Sequence, residues 1–236
     1  MDLLFVHGAL VRDGAWWWQP TADLLVGDGI ASRALRVPSC GEGTPDEIGG
    51  GLRADAAALR RALDEVDPAE GAIVVGHSYG GTVIAEAGTH PAVRHLLLIS
   101  SYLPDVGASQ GSIMSGEPDP VQVAPNNDGT ISVAGLDATS FRARFLQDVP
   151  ESVAGEAWDR VTAQALAAFG TETTAAGWQG VDSTFLVCTE DRSTSVELQR
   201  FHAARATRSV DLPTGHHPFI ARPELVAEQV RALLPG

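Results

Sequence analysis

Residues 72–89 place a strand and a helix on either side of one short turn, Gly76-His77-Ser78-Tyr79-Gly80-Gly81. Few folds accommodate this. Ala72–Val75 is apolar throughout and reads as a strand buried on both faces, whereas Thr82–Thr89 reads as a helix. A strand that turns into a helix over so few residues belongs to a parallel sheet with helical crossovers. The turn brings backbones into close approach, so small residues are required two before and two after Ser78. Gly76 and Gly80 fill those places.

The rest of the chain repeats the alternation. Leu3–Val6, Ser32–Val37, Leu96–Ser100, Thr184–Cys188 and Ser209–Leu212 read as further strands, and Trp16–Val26, Gly51–Val66, Val196–Ala206 and Pro223–Leu234 as further helices. In the second helix Leu52, Leu59, Leu63 and Val66 share one face, with Arg53, Asp55, Arg60 and Asp64 placed off it. The expected fold class is α/β: a doubly wound, mostly parallel sheet of about six strands with right-handed crossovers. The 236 residues suit one such domain spanning 1–236.

One stretch, 104–180, breaks the rhythm. It begins loop-like, and Asn126-Asn127-Asp128-Gly129 then reads as a hairpin turn ahead of Thr130–Val133. Helical pieces follow at Phe141–Gln147 and Ser152–Phe169. The stretch carries net charge −7, half of the chain's −14. Ligands of open α/β sheets bind at the C-terminal strand edge, so this insertion is expected to be a cap over that edge.

All sixteen basic residues are Arg; the chain has no Lys. Schiff-base chemistry, a Walker-type phosphate loop and a Ser-x-x-Lys acylase are thereby excluded. The acidic balance argues against nucleic acid or an anionic membrane as a partner. Cys40 and Cys188 are expected to be free thiols. No apolar run is long enough to cross a bilayer, and the first residues lack the basic flank of a signal peptide. A cytoplasmic protein is expected, and a homodimer is compatible with the sequence.

Ser78, lifted at the strand-to-helix turn, is the candidate nucleophile, with the free N–H groups of the following helix near it. The loop after the first strand, Phe5-Val6-His7-Gly8-Ala9, is placed to supply a second N–H. Ala9 and Tyr79 are therefore the expected oxyanion-hole donors. His7 is expected to brace that loop. A serine hydroxyl needs an adjacent imidazole, and the imidazole needs a carboxylate to orient it. Gly215-His216-His217-Pro218 follows the last strand, and His216 is taken as the base. Glu190 and Asp191 follow the strand before it, and Asp191 is taken over Glu190 as the acid. Metal-binding spacings are absent and no third ligand is expected beside His216-His217, so no metal and no cofactor is anticipated.

With these residues in place the chain resembles the α/β-hydrolase superfamily, and within it the small esterases grouped with plant methylesterases and hydroxynitrile lyases. Phe5-Val6-His7-Gly8 with Gly14-Ala15-Trp16, the Gly76–Gly81 elbow, Thr189–Gln199 and Gly215–Pro223 carry the resemblance over essentially the whole chain. It implies an esterase and supports Asp191 as the acid. The chain begins at the strand that is usually third in the superfamily, and Ala9–Asp13 departs from the plant pattern. Where the lyases of this group carry Thr and Lys, this chain has Gly8 and His217, which favours ester chemistry over cyanohydrin cleavage.

The expected activity is hydrolysis of a carboxylic ester, or an amide or lactone, of a small apolar compound through an acyl-enzyme on Ser78. Gly8, Trp16, Leu103, Met114, Phe145, Trp158 and His217 are the expected substrate contacts. Two rivals stand beside it: a non-hydrolytic lyase or cyclase with His216 as base, and a catalytically silent ligand-binding protein.

Overall fold

The computed structural model describes residues 1–234. Its main sheet contains the six expected strands: β1 (Asp2–Val6), β2 (Ser32–Ala34), β3 (Ala72–His77), β4 (Val93–Ile99), and, after residues 100–182, β8 (Ser183–Cys188) and β9 (Arg208–Leu212). All neighbours pair parallel, in the order β2-β1-β3-β4-β8-β9. The chain lays β2 on one side of β1 and then returns to lay β3 on the other. The strand order therefore reverses between β1 and β3, and the loops leaving these two strands open the crevice where α/β sheets take their ligands.

Alternation along the strands divides the core into two layers. Leu4, Val6, Val74, Leu96, Leu98, Phe185 and Val187 face one layer, with α3 (Gly51–Asp64) and α4 (Gly80–Ala87) supplying Leu52, Leu59, Leu63, Val83 and Ile84. Leu3, Phe5, Ile73, Val75, Leu97, Ile99 and Leu186 face the other, against Trp17, Trp18 and Leu25 of α1 (Gly14–Gly27) and Val226 and Val230 of α11 (Pro223–Arg231). Burying side chains of this size contributes about 1.5–3 kcal/mol each, and it is this term that holds the helices to the two faces. Cys40 and Cys188 are buried free thiols.

The expected faces hold with one correction. Asp55 of α3 was placed on the polar side, but it is fully buried. It stands three residues after Leu52 and four before Leu59, and so shares their face. Its burial is tolerated because three protein donors satisfy the carboxylate.

Between β4 and β8 the chain forms α5 (Gln110–Met114), the antiparallel hairpin β5 (Val123–Pro125) and β6 (Thr130–Val133), α6 (Ala138–Phe145), α7 (Glu151–Trp158), strand β7 (Gln164–Ala165) and α8 (Leu166–Gly170). The expected single helix over Ser152–Phe169 is thus broken. Gln164–Ala165 instead pairs with the edge of β6, so tertiary strand pairing overrides helical propensity. The remaining helices are α2 (Pro45–Gly49), α9 (Val196–Ala203) and α10 (Pro218–Ala221). Among the described residues no helix is long and apolar enough to cross a membrane.

Candidate active site

β3 ends at His77 and α4 begins at Gly80, leaving only Ser78 and Tyr79 to make the turn. Ser78 adopts φ +50°, in the left-handed region that costs a residue with a Cβ about 1–3 kcal/mol. The surroundings compensate. Ser78 donates its N–H to Ile99 O at 3.2 Å, and its carbonyl accepts from Ser101 Oγ at 2.7 Å. Space constrains the glycines: a Cβ on Gly80 would lie 2.5 Å from the backbone oxygen of Val6, and one on Gly76 would displace Ile84 Cδ1, 2.6 Å away. A Cβ on Gly81 would overlap the Tyr102 carbonyl.

Asp191 and His216 arrive on the loops after β8 and β9. His216 Nδ1–H donates to Asp191 Oδ2 at 2.7 Å, with both side chains buried. Among the described residues the competing carboxylate, Glu190, takes no side-chain hydrogen bond; its N–H donates to Thr214 O and its carbonyl accepts from Gln147. Asp191 Oδ1 accepts the N–H groups of Ser193 (2.7 Å) and Thr194 (3.0 Å), and Oδ2 accepts from Gln199 Nε2 (3.1 Å) and Ser100 Oγ (2.5 Å). Burial alone would raise this carboxyl. The neighbouring His216 imidazole and these donors reverse the effect and hold it below its ordinary range.

Ser78, His77, His216 and His217 line one cavity, about 710 Å³ counting its open mouth. His77 is the elbow residue immediately before Ser78. Its ring and those of His216 and His217 each bring a nitrogen within 4.8 Å of the others, which corrects the expectation that no third imidazole stands near the pair. All three also contact protein oxygens. His77 Nε2–H donates to His216 O at 3.0 Å, and His217 Nδ1–H donates to Phe145 O at 3.0 Å.

Burial, with His216 alongside, depresses His77 well below its ordinary range and pushes His217 down to about 3. Burial likewise pushes His202 down to about 4. These rings stay neutral in the fold, yet take up protons below pH of about 6.5 once unfolded. The unfolded state then binds more protons, so stability falls with falling pH, by about 1.4 kcal/mol per pH unit for each such histidine. The full contribution is present above the unfolded value and is lost towards the folded ones. Melting temperature is therefore expected to drop steadily from pH 6.5 to 5, and a flat profile over that window would refute this account.

The Ala9 loop crosses directly over the elbow. A Cβ on Gly8 would lie 3.0 Å from His77 Nδ1 and 3.3 Å from Ser78 Cβ, so only glycine passes without a shift. No protein acceptor among the described residues takes the N–H of Ala9 or of Tyr79, whereas the next N–H, on Leu10, donates to Gln164 Oε1 at 2.8 Å. His7 braces the loop, with Nδ1 at 2.9 Å from Gly8 O and Nε2 at 3.1 Å from Glu42 Oε2.

Of the expected substrate contacts, Gly8, Met114, Phe145 and His217 line the cavity, and Trp16, Leu103 and Trp158 do not. Trp16 lies outside, its Nε1–H donating to Glu156 and its ring under the Arg160 guanidinium at 4.2 Å. Trp17 packs on His217 instead, at 5.0 Å between rings. Leu103 is fully buried in the core, and Trp158 packs behind Phe141. Phe141, Phe169, Val121 and the polar Gln110 and Glu117 are among the other residues of the walls. Phe141 had a sequence signal: it stands four residues before Phe145 on α6, which brings both rings to one face, 4.9 Å apart.

Comparison with known proteins agrees with this architecture. The model of the alpha/beta hydrolase family matches residues 3–229. A carbendazim hydrolyzing esterase from Nocardioides sp. is 25% identical over 247 residues, covering 98% of this chain and 99% of that protein. A pyrethroid hydrolase from Sphingobium faniae has the same fold, with TM-score 0.78 and 22% identity over 98% of this chain and 96% of that one. So does a methylesterase from Arabidopsis, with TM-score 0.77 and 17% identity over 99% and 98% of the two chains.

Proposed function

The chain belongs to the alpha/beta hydrolase family, and on that premise we propose that it is a serine esterase acting through Ser78, His216 and Asp191. The observation that carries the reading is the 2.7 Å His216–Asp191 bond at the same cavity that Ser78 enters from its left-handed turn. Asp191 takes the Nδ1 proton of His216, leaving the Nε2 lone pair as the base. Ser78 attacks the ester carbonyl as His216 takes its proton. The unpartnered Ala9 and Tyr79 N–H groups hold the tetrahedral oxyanion. The alcohol leaves with that proton, and a water activated by His216 then releases the acid.

Residues 104–180 act as the cap, since Met114, Phe141 and Phe145 from this stretch meet Ser78 across the cavity. Their apolar side chains suit a small, largely apolar ester. His217 bears on the lyase alternative. It is neutral beside His216, so a departing anion would find no fixed cation there. Labelling with a fluorophosphonate tests the reading together with turnover of p-nitrophenyl esters of rising chain length. Ser78 should be the modified residue in folded protein. Turnover without modification of Ser78 would place the hydrolytic site elsewhere, and absence of both would favour the lyase or the binding-protein reading.

A further inference from the structure

The two loops that carry Ala9 and Tyr79 are joined by a chain of buried hydrogen bonds. Leu10 donates its N–H to Gln164 Oε1 at 2.8 Å. Gln164 Nε2 donates to Ser39 Oγ at 2.9 Å. Ser39 donates its hydroxyl to Asp55 Oδ2 at 2.6 Å and its N–H to Asp55 Oδ1 at 2.9 Å. Tyr79 closes the chain, donating its phenol to Asp55 Oδ2 at 2.7 Å. Ser39, Asp55, Tyr79 and Gln164 are all fully buried. Burial and the Asp55 carboxylate hold the Tyr79 phenol well above its ordinary range, so it stays protonated and donates.

Each end of this chain adjoins a non-glycine residue held in the left-handed region, as Ser100 beside Asp191 also is. Leu10 adopts φ +60° immediately after Ala9, and Ser78 adopts φ +50° immediately before Tyr79. Neither is a glycine, and each conformation persists only where neighbouring structure imposes it. Gln164 lies on β7, so the 104–180 stretch contributes to this chain as well as to the cavity wall.

We infer that the Gln164–Ser39–Asp55–Tyr79 chain sets the spacing of the Ala9 and Tyr79 N–H groups. Gln164 and Tyr79's phenol are thereby positioning groups for the oxyanion hole. The inference rests on the esterase reading of the site. The chain acts on the donors and not on substrate, because Gln164, Ser39 and Asp55 do not line the cavity. Its loss should therefore weaken transition-state stabilisation more than substrate binding.

The test compares Gln164→Leu and Tyr79→Phe with the unaltered protein on a p-nitrophenyl ester, alongside the rate of phosphonylation by a fluorophosphonate. Both variants should lose about 10–100-fold in kcat with KM changed by less than about threefold, and phosphonylation should slow in parallel. The double variant should lose less than the product of the two, since both break one chain. A purely structural role would lower the melting temperature and leave kcat per folded molecule unchanged. That result in both variants overturns the inference. If Gln164→Leu does not fold, Tyr79→Phe, which removes one oxygen, decides alone. If the unaltered protein neither turns over esters nor takes the label, the esterase reading falls and this inference with it. If it does both and the variants match it, only the positioning role falls.

Discussion

Ser78→Ala is expected to lower ester turnover by at least about 10⁴-fold while leaving the fold intact. The size follows from what the hydroxyl does. In the proposed mechanism it is the atom that becomes covalently bonded to the acyl group, and nothing else at the turn would take its place. The nearby hydroxyls are committed elsewhere: Ser100 Oγ donates to Asp191, and Ser101 Oγ donates to the Ser78 carbonyl. The fold should survive because what holds residue 78 is its backbone, through Ile99 and Ser101. Alanine inherits the same φ and the same bonds. Residual rate would come from the donor N–H groups and the binding site acting on a water. Initial rates at saturating ester, with circular dichroism as the fold control, measure this. Retention of more than about 1% of kcat would place the nucleophile elsewhere, since loss of a triad serine removes far more than that.

Asp191→Asn should cost kcat about 10³–10⁴-fold, with Glu190→Gln close to unaltered. The asymmetry tests the choice between two adjacent acids. Asp191 accepts from the backbone of Ser193 and Thr194, from Gln199 Nε2 and from Ser100 Oγ, in addition to His216. An amide in its place turns one acceptor into a donor. If the amide nitrogen faces His216, it favours the tautomer with the proton on Nε2, and the base is lost. If it faces Ser193 and Thr194, donors oppose donors in a buried site, at about 1–3 kcal/mol. Either way stability falls with activity. Glu190 enters no such network through its side chain, so its charge can be removed without consequence. The reverse ranking would assign the acid to Glu190.

Much of this site was legible in the sequence because its key residues sit at loops next to strands. Six short β-rich runs, four of them nearly all apolar, located the six strands, and the loops after β3, β8 and β9 then offered Ser78, Asp191 and His216 as candidates. Even the choice of Asp191 over Glu190 agrees with the observed bond to His216. The walls of the cavity were less legible. Trp16, Trp158 and Leu103 looked suitable by size and apolarity, but those properties serve a core as well as a pocket. The helix expected over Ser152–Phe169 failed because the free edge of β6 captured Gln164–Ala165.

Two kinds of information separate here. Period-2 and period-3.6 patterns, with the Gly-rich turn between them, determined the parallel sheet, its apolar faces and the place of Ser78, whereas Asp191 and His216 were chosen from their loops by what serine chemistry requires. The patterns could do so because each depends on backbone geometry within a few residues. The tertiary structure alone decided that His77 joins His216 and His217, that Trp17 and not Trp16 packs on His217, and that Asp55 lies beneath Tyr79. Each of these is a contact between segments distant in the chain, made by side-chain direction and by the need to satisfy buried polar groups. No local pattern encodes the partner. The loops that hold the Ala9 and Tyr79 donors are near-neighbours in space only because β1 and β3 are adjacent in the sheet, and they are tied together by residues 39, 55 and 164 from three other segments.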